Sequence, residues 1–305
     1  MAKELKKLRL GVVGMSEGNG HPYSWSAIFN GYDKTEMEKC PFPVIPKYLN
    51  KEQFPNNFLT ELAEVNHIWT QDTYVSEKVA RAANIPFVCD QKEEMIGNVD
   101  AILLARDDAE NHYEHAKPFL RSGMPLYIDK PFALSIKDAD QLWNACKTEN
   151  QIFSCSALQF AKEFSPEAVD YERLGEIYAV WANIPKSWNK YAVHIIEPSL
   201  NLIPNRGEPK QIKSLPIQNE NIKGVQVAYT SGLIAQFQTT GTLPSPLTIK
   251  ILGEKGSQEL FFEDTFYAFR SALKRFIHLV NGEKPNIPRN ATREMVQILE
   301  VLSHA

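Results

Sequence analysis

Gly11, Gly14, Gly18 and Gly20 fall close together in the run Gly-Val-Val-Gly-Met-Ser-Glu-Gly-Asn-Gly-His, which closes the first apolar segment of the chain. Glycines in such a turn let backbone N–H groups approach an anion, and a following helix, expected to begin near Tyr23, would present its N-terminus to a pyrophosphate. The spacing is G-x-x-x-G-x-G, with Ser16 where the second glycine of G-x-G-x-x-G would stand, so a purely structural turn remains the alternative. Gly14, Ser16, Gly18 and Gly20 are the candidate cofactor contacts. A later apolar segment ends Trp69-Thr70-Gln71-Asp72, where a dinucleotide fold places an acid on the adenosine ribose. Asp72 suits that role or the cap of the helix after it, and Thr70 and Gln71 leave NAD and NADP both open.

Two further segment ends carry charge. Arg106, Asp107 and Asp108 follow Asp100–Ala105; they would line a nicotinamide crevice, cap the next helix or pair with one another. Asp129-Lys130-Pro131 ends the segment Pro-Leu-Tyr-Ile-Asp and puts a lysine at the edge of the sheet where a substrate would lie. His112 and His115, with Glu110 and Glu114, read as a polar helix face, and no metal is predicted. Cys40, Cys89, Cys146 and Cys155 form no C-x-x-C pair and read as reduced, packed thiols.

The elements that position these residues alternate. Residues 8–13, 65–69, 100–105, 125–129 and 151–156 are short apolar runs of the kind covered on both faces in a parallel sheet. Helical patterns lie between them, as in Ser135–Asn150, where Ser135 and Asp138 start a capping box. This is the rhythm of a doubly wound sheet, whose ligands sit at the carboxyl ends of its strands. Tyr32–Leu62 breaks the rhythm and reads as an insertion forming an ordered flap. Beyond about residue 170, Ile177–Ile184, the hairpin around Ser231-Gly232 and the hairpin around Gly253 and Gly256 predict an antiparallel sheet. A helix with Phe266, Phe269, Leu273 and Phe276 on one stripe follows, and another is expected over Glu294–Ser303. A chain of 305 residues with 33 basic and 37 acidic side chains, net charge −4, lacks the basic footprint of a nucleic-acid binder. No apolar run reaches the roughly 18 residues a membrane span requires, the start shows no export signal, and the expected compartment is the cytoplasm.

At Asp129-Lys130-Pro131 the chain resembles the glucose-fructose oxidoreductase and inositol dehydrogenase (Gfo/Idh/MocA) family, whose nucleotide domain ends in Glu-Lys-Pro. The order of elements, the strand Asp100–Ala105, His112 and the Leu252-Gly253-x-x-Gly256-Ser257 turn extend the likeness over nearly the whole chain. The resemblance implies a Rossmann-type domain over residues 1–130, holding the 32–62 insertion, and an α+β domain over 131–305 for substrate binding and oligomerisation. It implies Lys130 as the catalytic lysine, with Asp129 in place of glutamate and both beside the cofactor. Lys190-Tyr-Ala-Val-His194 resembles the family's D-x-x-x-H pattern and implies His194 as acid/base, with Glu197 where the family often has Asp. Lys190 reverses the charge of the family's aspartate, and pairing with Glu197 or binding an acidic substrate group are its alternatives. Lys162, in Phe160–Pro166, matches a segment that approaches substrate.

The implied activity is hydride transfer between NAD or NADP and a sugar, sugar acid, cyclitol or derivative, Lys130 stabilising the oxygen and His194 carrying the proton. A non-catalytic ligand-sensing homologue and a redox-neutral lyase or hydrolase that holds NAD are the rival readings. The family also implies a homodimer or homotetramer through the second sheet.

Overall fold

The computed structural model describes residues 7–303; the basic start at residues 1–6 lies outside them. The chain divides into two compact units, each assembled from several stretches of sequence. The first runs to Asp129 and takes in Asp140–Ser154 and Phe269–Ile287; the second comprises Lys130–Ala139, Cys155–Ala268 and the chain from Pro288 onward. The first break falls between Asp129 and Lys130, one residue before the expected boundary. The stretch expected as a contiguous second domain also returns two segments to the first unit, because the buried run at 152–154 completes the first sheet.

In the first unit β1 (Leu8–Val13), β2 (Ala63–Trp69), β3 (Phe87–Val88), β4 (Ala101–Leu104), β5 (Leu126–Ile128) and β6 (Ile152–Ser154) form one sheet in the order β3-β2-β1-β4-β5-β6. Every neighbouring pair is parallel. Every residue of β4, β5 and β6 is buried, as strands covered on both faces must be. Strand order reverses between β1 and β4, so the glycine turn after β1 and Arg106 after β4 meet at the switch point where such sheets bind ligands.

The helix after the glycine turn spans His21–Asn30, two residues earlier than expected, with Pro22 in its first turn, where no backbone N–H is missed. Trp25 stacks on Tyr127 at 4.7 Å, and Tyr127 meets Phe153 at 4.9 Å and Phe276 at 5.7 Å, so aromatic packing anchors this helix to the sheet. The Tyr32–Leu62 stretch is not a flap. It folds as helices Lys34–Glu38 and Val44–Leu49, and Met37, Ile45, Leu49 and Leu59 are buried core. Its apolar residues are the reason, since they pack as a layer of the first unit. The helix expected over Ser135–Asn150 runs Ile136–Asn144, and Ser135 and Asp138 close the capping pair at 3.1 Å and 2.7 Å.

In the second unit β7 (Ile177–Ile184), β8 (Pro209–Ser214), β9 (Lys223–Tyr229), β10 (Ile234–Thr239), β11 (Thr248–Gly253) and β12 (Gly256–Phe261) make a sheet in the order β12-β11-β7-β10-β9-β8. All pairs are antiparallel except β7 with β10. One face is apolar and buried, through Val180, Val227, Phe237 and Ile251, while Trp181 and Ile234 on the other stay exposed. The last helix spans Arg289–Ser303, five residues longer at its start than expected. It is tied down by Trp188 Nε1 donating to the Leu299 carbonyl at 2.8 Å and by Arg206 on Glu294 at 2.9 and 2.5 Å. Among the described residues no helix is long and apolar enough to cross a membrane.

Candidate functional site

The glycine turn of the first unit is built for close approach. A Cβ on Gly14 would meet Pro22 Cγ at 2.5 Å, so only glycine lets the turn lie against its own helix. Gly18 has φ +77° and open space where a Cβ would stand, the conformation glycine adopts without penalty. Side chains from two neighbouring strand ends clasp the turn. Gln71 takes the Met15 N–H at 3.0 Å and donates to the Met15 carbonyl at 2.6 Å. Ser16 Oγ donates to Asp107 Oδ1 at 2.7 Å and accepts the Asp107 N–H at 3.0 Å. The serine that displaces a motif glycine thus cross-links the turn to the end of β4.

Arg106 is buried; it donates to Gln71 Oε1 at 3.1 Å and to Asp108 at 3.0 and 2.6 Å. Burial alone would favour the neutral acid, but the Arg106 and Asn111 hydrogen bonds hold Asp108 below the usual carboxylate range. Of the three roles open to Arg106 and Asp108, pairing with one another is the one seen. Asp72 caps the helix that starts at Thr73, accepting the Tyr74 N–H at 2.9 Å. His112 Nε2 lies 2.8 Å from the Arg106 carbonyl, and burial pushes the His115 imidazole down to about 4. Among the described residues no three His, Cys, Asp or Glu side chains are grouped as a metal would need.

The sequence reading missed His21. Its Nδ1 lies 2.5 Å from Asp129 Oδ2, which also accepts Asn19 Nδ2 at 2.8 Å, and Asn19 Oδ1 takes the His21 N–H at 2.7 Å. The ring stacks on Trp25 at 4.9 Å. Asp129 is almost fully buried, and these bonds supply what a buried carboxyl requires. The available signal was position, since His21 is the first residue after the last glycine.

In the second unit, Lys130 is buried and its Nζ lies 5.5 Å from the centroid of the Tyr191 ring. The same ring sits 5.7 Å from the imidazole of His194. Lys186 Nζ donates to Tyr191 Oη at 2.8 Å and stands 4.4 Å over the ring. His194 Nδ1 is 2.7 Å from Ser156 Oγ, and the Ser156 N–H donates to Glu197 Oε2 at 2.5 Å. Glu197 keeps part of its surface, yet desolvation of its carboxyl pushes it up to about 8, the Ser156 N–H opposing. Tyr191 thus gathers the expected Lys130 and His194 around one ring. Neither Tyr191 nor Ser156 was foreseen. Lys190 lies in the short helix Trp188–Tyr191 and lines a cavity of about 840 Å³. Lys162 is exposed and pairs with Asp264 at 3.2 Å.

Residues 44–157 match the model of an oxidoreductase family with an NAD-binding Rossmann fold, GFO_IDH_MocA. No curated protein sequence matches the chain. Among solved structures, scyllo-inositol dehydrogenase from Lactobacillus casei superposes with a TM-score of 0.73 at 12% identity, over 98% of this chain and 96% of that one. Myo-inositol 2-dehydrogenase from Lactobacillus plantarum gives 0.70 at 14%, over 97% and 96%. GenD2 from gentamicin A biosynthesis, in complex with NAD, gives 0.71 at 15%, over 98% and 94%. At these identities the likeness is one of fold. Over residues 44–157, then, the chain resembles the oxidoreductase family with an NAD-binding Rossmann fold, GFO_IDH_MocA, and over nearly its whole length it has the fold of the solved inositol dehydrogenases.

Proposed function

We propose that the protein transfers a hydride between NAD or NADP and a carbinol of a sugar, sugar acid, cyclitol or derivative. The observation that carries this reading is the pair of Lys130 and His194 on one tyrosine ring, at 5.5 and 5.7 Å, with His194 oriented by Ser156. Neighbours of this fold that act on inositols are in keeping with it.

The first unit fits a dinucleotide. The open space beside Gly18 and the buried start of the His21–Asn30 helix suit a pyrophosphate; Gly14, Ser16, Gly20, Arg106 and Asp129 shape or support that turn, and Asp72, capping the Thr73 helix, is the acid offered to the adenosine ribose. A bound nicotinamide supplies the hydride acceptor or donor. In the second unit Lys130 orients the substrate oxygen and stabilises its developing negative charge, while His194 Nε2 takes or returns the hydroxyl proton, its Nδ1 being engaged by Ser156. Lys162, Lys190 and Glu197 form the surroundings in which the substrate is recognised. The open sheet face with Trp181 and Ile234 is the surface through which copies of the chain associate.

Titration with NADH and NADPH, read by nicotinamide fluorescence, tests the cofactor half; a screen of polyols and sugar acids tests the rest. Saturable binding followed by turnover supports the reading. Binding without turnover on any polyol gives precedence to a ligand-sensing role, and no binding at millimolar cofactor removes the dehydrogenase.

A further inference from the structure

We propose that the substrate carries an anionic group, a carboxylate or a phosphate, received by Lys186 and Lys190 in the cavity beside Tyr191; this rests on the oxidoreductase reading for the chemistry at Lys130, but not for the anion itself. The cavity, about 840 Å³ and wholly within the second unit, is lined by Lys186, Lys190 and Lys223, with Glu220 the acid among its lining residues. Its size is that of a small-molecule site. A neutral polyol has no use for that excess of positive charge, whereas an anion forms charge-assisted hydrogen bonds with it.

The wall is fixed, not a loose fringe of lysines. Lys186 has φ +77°, a left-handed backbone uncommon for a residue with a Cβ. It is held there by a reciprocal pair of backbone bonds with Gly241, at 2.7 and 3.1 Å. Gly241 has φ +56°, and a Cβ on it would collide with the Asn221 carbonyl at 2.6 Å. Backbone held in such a conformation gathers at ligand sites, where the surrounding structure over-determines it.

The same lysine links the cavity to the proposed chemistry. An ammonium only donates, so Tyr191 Oη accepts from Lys186, and one side chain touches both the cavity and the ring that carries Lys130 and His194. His194 is already oriented by Ser156, so no carboxylate is required four residues before it. A cation at that position, Lys190, suits an anionic ligand in the cavity it lines.

Calorimetric titration of the full chain with gluconate, glucose 6-phosphate and glucose, at low salt and with and without NADH, tests this. At least one anion is expected to bind about tenfold or more tighter than glucose, with the advantage shrinking as sodium chloride is raised. Gluconate alone identifies a carboxylate and glucose 6-phosphate alone a phosphate. Lys186→Met/Lys190→Met is expected to abolish the advantage, and Lys190→Gln, the milder change, to reduce it several-fold with an unchanged melting temperature. Equal affinities for the three, no binding of any, or an advantage that survives in both variants overturns the proposal. An anion preference without NADH binding overturns the dehydrogenase reading alone; NADH binding without a preference overturns this inference alone.

Discussion

Ser156 Oγ and His194 Nδ1 stand 2.7 Å apart across 38 residues of sequence, and the same oxygen accepts the Leu158 N–H at 3.1 Å. The serine is therefore held by its own turn and in turn holds the imidazole. Ser156→Ala frees the ring to rotate, and kcat/KM is expected to fall about tenfold, the scale of one buried hydrogen bond, with NADH affinity unchanged. Steady-state kinetics beside a cofactor titration measures both.

Lys130→Met and His194→Ala remove the groups proposed to act on the oxygen and on its proton. Each is expected to lower kcat by roughly 10²- to 10⁴-fold, the usual span for a positioned acid or base. The two differ in pH behaviour. His194→Ala flattens the limb of the kcat/KM profile that reports the imidazole, and Lys130→Met leaves that limb in place.

Gly18→Ala probes the turn. The new Cβ meets no protein atom within 4 Å, so the protein bears only the left-handed strain, on the order of 1–2 kcal/mol. A pyrophosphate would meet the methyl group. The NADH dissociation constant is expected to rise at least about tenfold while the melting temperature falls by a few degrees; unchanged affinity would move the phosphate site elsewhere.

Glu197 makes stability depend on pH. Burial raises its folded pKa to about 8, above the unfolded value, so the folded state holds the proton more tightly. The stabilisation is complete below the unfolded pKa and is lost as pH rises through about 8. Between pH 6.5 and 8.5 the wild type is expected to lose a few degrees of melting temperature that Glu197→Gln does not lose. Calorimetric melts of the two proteins at both pH values give the comparison.

His21→Ala removes one partner of the buried Asp129 carboxyl. An unfolding free energy lower by about 1–3 kcal/mol is expected in urea titrations. The effect should be larger than for Asp72→Ala, which loses a single exposed cap.

The fold was legible where burial imposes a pattern. Residues 8–13 and 177–184 stand out as apolar runs and match β1 and β7 to the residue. β3 is two exposed residues long, and β8, Pro-Lys-Gln-Ile-Lys-Ser, lies mostly in solvent; neither has a buried face to mark it. Lys130 and His194, which motif spacing singles out as candidates, lie by one tyrosine ring. Ser156, Tyr191, Gln71 and His21 could not be singled out, because each acts through a partner that the chain brings close only on folding. Met15 and Gln71 lie 56 residues apart and Asp129 and His21 108. The Tyr32–Leu62 stretch misled through its prolines, which end helices without preventing short ones.

The composition of the first unit bears on how the chain folds as it is made. A nascent chain that has reached Ser154 already contains all six strands of the parallel sheet. It still lacks Phe276, whose ring packs on Tyr127 and Phe153, and Asn286, whose amide closes on the Ile152 carbonyl at 2.7 Å. Synthesis that proceeds from the N-terminus therefore cannot finish the first unit before the second sheet has emerged, and the vectorial, one-domain-then-the-next order available to many two-unit proteins is closed to this one.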